Sequence, residues 1–198
     1  MIEKKGNKNS LRSKKLIKNA FIGLFVEKEI SKITVTDIIN SAEISRATFY
    51  AHYSDIAHLL DSIEADAADY IEAHLMSFGI EKALKSPDAY FNSLLGYLSA
   101  DIELYRKIAI SDNSRFFYDR LSAVIKARML SSIEAVKGEF SEPGKVKFLF
   151  FFNAVFSLMF EWLCGDIDMP YTILAGTIST LLSKNNSIPF SLTDSLLV

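Results

Sequence analysis

From Leu11 to Lys28 the apolar side chains fall at Leu16, Ile17, Ala20, Phe21, Leu24 and Phe25. That i, i+3, i+4, i+7 spacing lines one face of a helix, and Lys14, Lys15 and Lys18 occupy the opposite face. In the next stretch, "SKITVTDIINSA", Thr34 is followed three residues on by Asp37. The pair has the outline of a capping box and predicts a short helix over about 35–42, with Ile38 and Ile39 turned inward. Glu43 and Ile44 leave room only for a tight turn. Ser45 is then a good N-cap for a third helix over about 46–53. At 100° per residue, Arg46, Ala47, Tyr50 and Ala51 share one face of it and Phe49 and Tyr53 another. Thr48 and His52 lie on the flank between. Two short helices across a tight turn are the outline of a helix-turn-helix.

A fourth helix is predicted from Ser54 or Asp55 to about Leu75. Its stripe is Ile56, Leu59, Leu60, Ile63, Ala67, Tyr70, Ile71 and His74, and it would join the head to the rest of the chain. Ser86 and Pro87 mark another start. Residues 88–109 and 114–136 read as helices, broken around "SDNS" at 111–114, and "EFSEPG" at 139–144 reads as a loop. From Val146 to Cys164 the chain is apolar nearly all round, with Asn153, Ser157 and Glu161 as a narrow polar stripe. Such a helix is buried on two sides. Gly165 would end it. A last helix runs from Met169–Pro170 to about Ser183 and carries the small residues Ala175, Gly176, Thr177 and Ser179. The fold class is all-α. A basic flexible arm is expected at 1–10, a three-helix helix-turn-helix domain at 11–60 and a larger helical domain at 61–198.

Composition agrees with long helices: 15 Phe against 4 Pro and 8 Gly. The lone Cys164 can form no internal disulfide, so a reducing, cytoplasmic setting is expected. The apolar run Phe148–Phe160 is 13 residues long, short of the roughly 20 that span a bilayer, and no membrane association is expected. Net charge is uneven. Residues 1–60 hold ten Lys and Arg against six acids, and residues 61–198 hold twelve against eighteen. A basic end on an acidic body points one end at a polyanion. No Gly-rich phosphate loop, H-E-x-x-H motif or serine elbow occurs, so no catalytic residue, metal or cofactor is expected. "DID" at 166–168 reads as capping and solvated charge. An all-helical enzyme and a protein-binding helical adaptor remain the alternatives to DNA binding.

The third helix suits a major groove. Ala47 and Ala51 permit close approach, Arg46 can bond guanine O6 and N7, and Tyr50 can touch a thymine methyl or a phosphate. Thr48 and His52 can bond phosphates, and Lys14 and Lys15 add counterion-release affinity.

At these residues the chain resembles the TetR family of bacterial transcriptional regulators. The segment "TVTDIINSAEISRATFYAHY", 34–53, keeps the family's T-F-Y-x-H core at Thr48–His52. The resemblance implies double-stranded DNA as partner, with Arg46, Ala47 and Tyr50 at base edges or the groove floor. It places Thr36, Thr48 and His52 on phosphates, with Ser45 in the same contact set. Two positions depart from the pattern. Glu43 stands where the family usually has Gly, which would place it in a left-handed backbone at about 1 kcal/mol. Ile56 stands where many members have Lys, and His58 is a candidate substitute.

The resemblance further implies a homodimer built from the last two helices, reading a near-palindromic operator. Phe152, Phe156, Phe160, Ala175 and Ser179 are the interface candidates. "EWLCGDIDMP" also resembles, more weakly, the W-L-x-x-G…P turn of a branch common in Firmicutes regulators. Residues 61–145 are rich in aromatics: Phe78, Tyr90, Phe91, Tyr97, Tyr105, Phe116, Phe117 and Tyr118. These either fill a core or line a cavity for a small apolar effector that releases a repressor from DNA. The candidate lining is Phe91, Tyr97, Phe116 and Phe117, with Arg120, Asn92 or Asn113 as polar handles.

Overall fold

A computed structural model describes residues 3–98 and 102–183, and every regular element among them is a helix. The first, α1 (Glu3–Glu27), begins before the expected start at Leu11. The arm expected to be flexible at 1–10 is therefore helical backbone from residue 3. Ile17, Ala20, Phe21 and Phe25 are buried along its inner stripe. A 3-10 turn (Ile30–Lys32) leads into α2 (Val35–Ser41) and α3 (Arg46–Tyr50).

The capping box forms at α2. Asp37 N donates to Thr34 Oγ1 at 3.1 Å, and Thr34 N donates to Asp37 Oδ2 at 2.8 Å. Ser45 caps α3, with Thr48 N donating to its Oγ at 3.0 Å. The turn between the two helices uses a left-handed residue, Glu43, at φ 52°. The α3 helix is shorter than expected, because Ala51 and His52 already belong to a turn. Phe49 and Tyr53 are buried with the α1 stripe, Ile33, Ile38, Leu59 and Leu60 in one core.

The long α4 (Ile56–Phe78) is capped by Asp55, which accepts from His58 N at 2.7 Å. Its buried face is rotated from the expected stripe. Glu64 and Ala68 are buried, whereas Tyr70 is exposed. The cause is α8 (Ser114–Lys137), which packs on α4 more extensively than any other described pair. Arg120 of α8 grips Glu64 by two hydrogen bonds, Nε to Oε1 at 2.6 Å and Nη2 to Oε2 at 3.0 Å.

Gly79, at φ 95°, ends α4 and allows the chain to restart as α5 (Ile80–Lys85). Six residues are too few to show a period, so this helix has no signature in the sequence. Within the span expected as a helix over 88–109, the described helices are α6 (Pro87–Leu98) and α7 (Ile102–Ala109). The next helix, α9 (Glu142–Cys164), begins inside the expected loop. Ser141 Oγ accepts from Gly144 N at 3.2 Å, and Pro143 fits the first turn, where no N–H is needed. Gly165 closes α9 at φ 92°, and α10 (Tyr171–Ser183) packs chiefly on α6.

The helical context lengthens the apolar run of α9. Over 23 residues it is long and apolar enough to cross a membrane, and only 11% of its most apolar window is buried. The 13-residue estimate understated it, because flanking residues of moderate polarity continue the helix.

Candidate nucleic-acid interface and cavity

Packing Phe49 and Tyr53 inward leaves Arg46, Ala47, Tyr50 and Ala51 exposed on one outer face of α3. Arg46 Nη2 donates to Thr36 Oγ1 at 3.2 Å, so α2 and α3 present a joined polar rim. Ser45 Oγ and Thr48 Oγ1 are 2.8 Å apart. His52 follows in the turn, with its ring 6.3 Å from that of Tyr53. Lys14 and Lys15 are exposed on α1. Behind the rim, Thr34 bonds hold the Asp37 carboxyl below its ordinary range, hydroxyl contact first and backbone second, with Lys28 adding to it. An ion pair from Lys28 to Asp37, at 3.1 Å, ties α1 to α2. His58 is exposed at the start of α4. Its Nδ1 accepts from Ser54 N at 3.3 Å, and its ring stands edge-on to Tyr53.

The larger part of the chain forms a partly open cavity of about 590 Å³. Such volumes hold small organic molecules. Its wall is almost wholly apolar, drawn from α4 to α10, and the aromatic share is large: Phe91, Phe117, Tyr118, Phe148, Phe152 and Phe156 among others. Among the described residues no Lys, Arg or His lines it, and Asp66 is the one carboxylate. Asp66 is itself paired with Lys18 of α1. Tyr90 is in the wall, and its buried hydroxyl has no hydrogen-bond partner. Burial alone pushes that phenol far above its ordinary range, so it remains an O–H donor.

Of the expected lining, Phe91 and Phe117 are in the wall. Phe116 points outward and is exposed. The side chain of Tyr97 lies outside the described residues. The three expected polar handles are all engaged elsewhere. Arg120 holds Glu64 and Asp61. Asn92 Nδ2 donates to Ser179 Oγ at 3.0 Å. Asn113 bonds the end of α1.

The expected interface residues also turn to partners within the chain. Phe152, Phe156 and Phe160 line the cavity, where the Tyr118 and Phe160 rings lie tilted with centroids 4.3 Å apart. Ala175 packs in the cluster around Phe91 and Trp162, and Ser179 accepts from Asn92. The large apolar side chains left exposed on these helices are Val146 and Phe150 of α9 and Ile173 and Leu181 of α10. A helix that faces a cavity on one side and the exterior on the other has an apolar pattern all round, which hides the direction of each residue.

Among known proteins, a TetR family model described as "Transcriptional regulator C-terminal region" matches residues 85–184, just over half of the chain. The chain belongs to the TetR family of transcriptional regulators. Two relatives from this class align as well. The uncharacterized HTH-type transcriptional regulator YxbF of Bacillus subtilis is 34% identical over 101 residues, 49% of this chain and 26% of that protein. The HTH-type dhaKLM operon transcriptional activator DhaS of Lactococcus lactis is 32% identical over 108 residues, 54% of either protein. The matches thus span between a quarter and about half of these relatives' lengths. A TetR transcriptional regulator from Streptococcus agalactiae has the same fold, with a TM-score of 0.58 at 23% identity. That likeness covers 89% of this chain and 97% of the solved one.

In this TetR family chain the aromatic excess of 61–145 points to a core or a cavity, but not to the large share of the wall that α9 supplies, from Phe148 to Leu163. Asn113, expected as a polar handle, instead bonds the end of α1.

Proposed function

We propose that this chain binds specific double-stranded DNA as a homodimer in the cytoplasm, and that a small uncharged molecule in the cavity adjusts its DNA affinity. The observation that carries this is the outer face of α3. Ala47, with Ala51 in the turn just past the helix, leaves room for close approach to a groove floor beside an arginine and an exposed tyrosine. Thr36, Ser45, Thr48 and His52 flank it as phosphate partners, and Lys14 and Lys15 extend the basic side. Among the described residues, the cavity wall has no cation to receive an acid and one carboxylate already in an ion pair. A charged ligand would be desolvated there without a partner, which disfavours it strongly. No step of chemistry is assigned to the chain.

Selection from a random duplex library, followed by titration, tests the DNA reading. Arg46→Ala and Tyr50→Ala should each weaken the selected site by roughly 1–3 kcal/mol. Lys14→Ala should weaken all sequences alike and lower the salt slope. Unchanged affinity in the folded Arg46→Ala, Tyr50→Ala double variant would remove the assignment.

We read the outcome as repression relieved by the effector. The second reading is activation, and it rests on the relative whose name calls it an activator. A reporter behind the selected site, with and without the gene, separates the two by the sign of its response.

A further inference from the structure

We propose that the α7–α8 corner, fastened to the end of α1 by Asn113, carries the state of the cavity to the DNA-binding head. This rests on the regulator reading above and adds the route of control.

Asn113 occupies the N-cap position of α8, yet its side chain makes no cap bond to its own helix. It is turned the other way. Nδ2 donates to Phe25 O at 2.7 Å and to Lys28 O at 2.9 Å, and Oδ1 accepts from Ile30 N at 2.8 Å. The side chain is buried, and its partners are the carbonyls that α1 leaves open at its end, together with the first amide of the next turn. An asparagine at this place ordinarily satisfies its own helix start. Here that role is given up for a three-point hold on an element more than eighty residues away in sequence.

The corner also belongs to the cavity. Tyr105, Ile108 and Ala109 of α7 and Ser114, Phe117 and Tyr118 of α8 are all in its wall. Ile108 is at the same time a member of the head's buried core, and Phe117 meets Phe25 edge-on with ring centres 5.6 Å apart. A group that presses on Ile108 or Phe117 from the cavity therefore presses on the end of α1 through atoms in contact.

A second hold lies farther up α1. Lys18 pairs with Asp66 and donates to Ser62 O at 3.1 Å, both on α4. The two holds on α1 are about ten residues apart, roughly 15 Å at 1.5 Å per residue. Any shift of the corner relative to α4 must tilt α1 between them, and the α2–α3 unit is packed on α1. Interior packing transmits such a shift, because close-packed side chains cannot absorb it.

The test needs no known effector, because a side chain can fill the cavity. Leu121→Trp and Val155→Phe place bulk inside it, on α8 and α9. Each is measured for affinity to the selected duplex, alone and combined with Asn113→Ala, in the full chain. The expected result is at least a fivefold change on filling in the native background, the lower end of typical allosteric coupling. In the Asn113→Ala background the change should fall below twofold. Arg128→Ala, which loosens α8 from Glu72 and Asp69 away from the corner, should leave the fivefold change intact. If circular dichroism shows Asn113→Ala unfolded, Phe117→Leu takes its place, since it keeps all three hydrogen bonds and removes the ring contact. Equal responses with and without the corner variant would overturn the proposal. So would a native chain that binds the duplex but is unmoved by either filling variant. A folded native chain that selects no duplex would instead overturn the regulator reading.

Discussion

Glu64 shows how one residue decides the placement of a helix. Its carboxylate is almost fully buried, and its stabilising partner Arg120 arrives from α8. Arg120→Ala would leave that charge without a partner. Breaking a buried pair in this way costs about 3–5 kcal/mol, and the partial exposure of Arg120 lowers the expectation to roughly 2–3 kcal/mol. Urea unfolding should show it, and a loss under about 0.5 kcal/mol would mean that solvent reaches Glu64. Glu64 also marks what a single sequence cannot express. In a one-dimensional pattern a glutamate is assigned to the surface, and Tyr70 to the interior. Both assignments fail because the deciding partner lies 56 positions away. Local rules succeed where the partner is local. Thr34 and Asp37, Ser45 and Thr48, and Phe49 and Tyr53 all take the positions their spacing predicts.

At the scale of elements, the α2–α3 turn is strained at one residue. Glu43 is the sole non-glycine residue with positive φ among the described residues. Its amide still donates to Asn40 O at 3.3 Å, and Ile44 N reaches Ile39 O at 3.1 Å. The turn is thus fixed by the capped helices on either side. Glu43→Gly removes the clash between Cβ and backbone that the left-handed conformation imposes, at some loss of chain entropy in the unfolded state. With about 1 kcal/mol of strain removed and about 0.5–1 kcal/mol of entropy lost, the net expectation is a gain of up to about 0.5 kcal/mol, or a Tm rise of up to roughly 2 °C for a chain of this size. A lower Tm would show that the Glu43 side chain holds the turn by contacts of its own. The positive φ follows from local sequence, because a capped helix must start two residues later. By contrast, the appearance of α5 rests on how this segment packs against α4 and α6. No spacing within it records that.

At the scale of the whole molecule, α9 and α10 have an inner and an outer surface. The inner surface closes the cavity with Phe152, Phe156 and Phe160. The outer one exposes Val146, Phe150, Ile173 and Leu181, each more than half accessible. Apolar exposure of this kind on two long helices is the usual mark of an association surface. In a two-fold dimer each residue near the axis meets its own copy or a close neighbour of it, so one substitution introduces two charges into one interface. Ile173→Glu should therefore yield a monomer by sedimentation at micromolar concentration, with its circular dichroism unchanged. Phe156→Glu should act differently. It places a carboxylate in the apolar wall beside Tyr118 and Phe152, so its main effect is a loss of thermal stability, with dissociation only as a consequence. The contrast separates the two surfaces. If Ile173→Glu remained dimeric while folded, the association surface would have to lie away from α10. If Phe156→Glu dissociated with no loss of stability, the Phe156 side chain would face the partner and not the cavity.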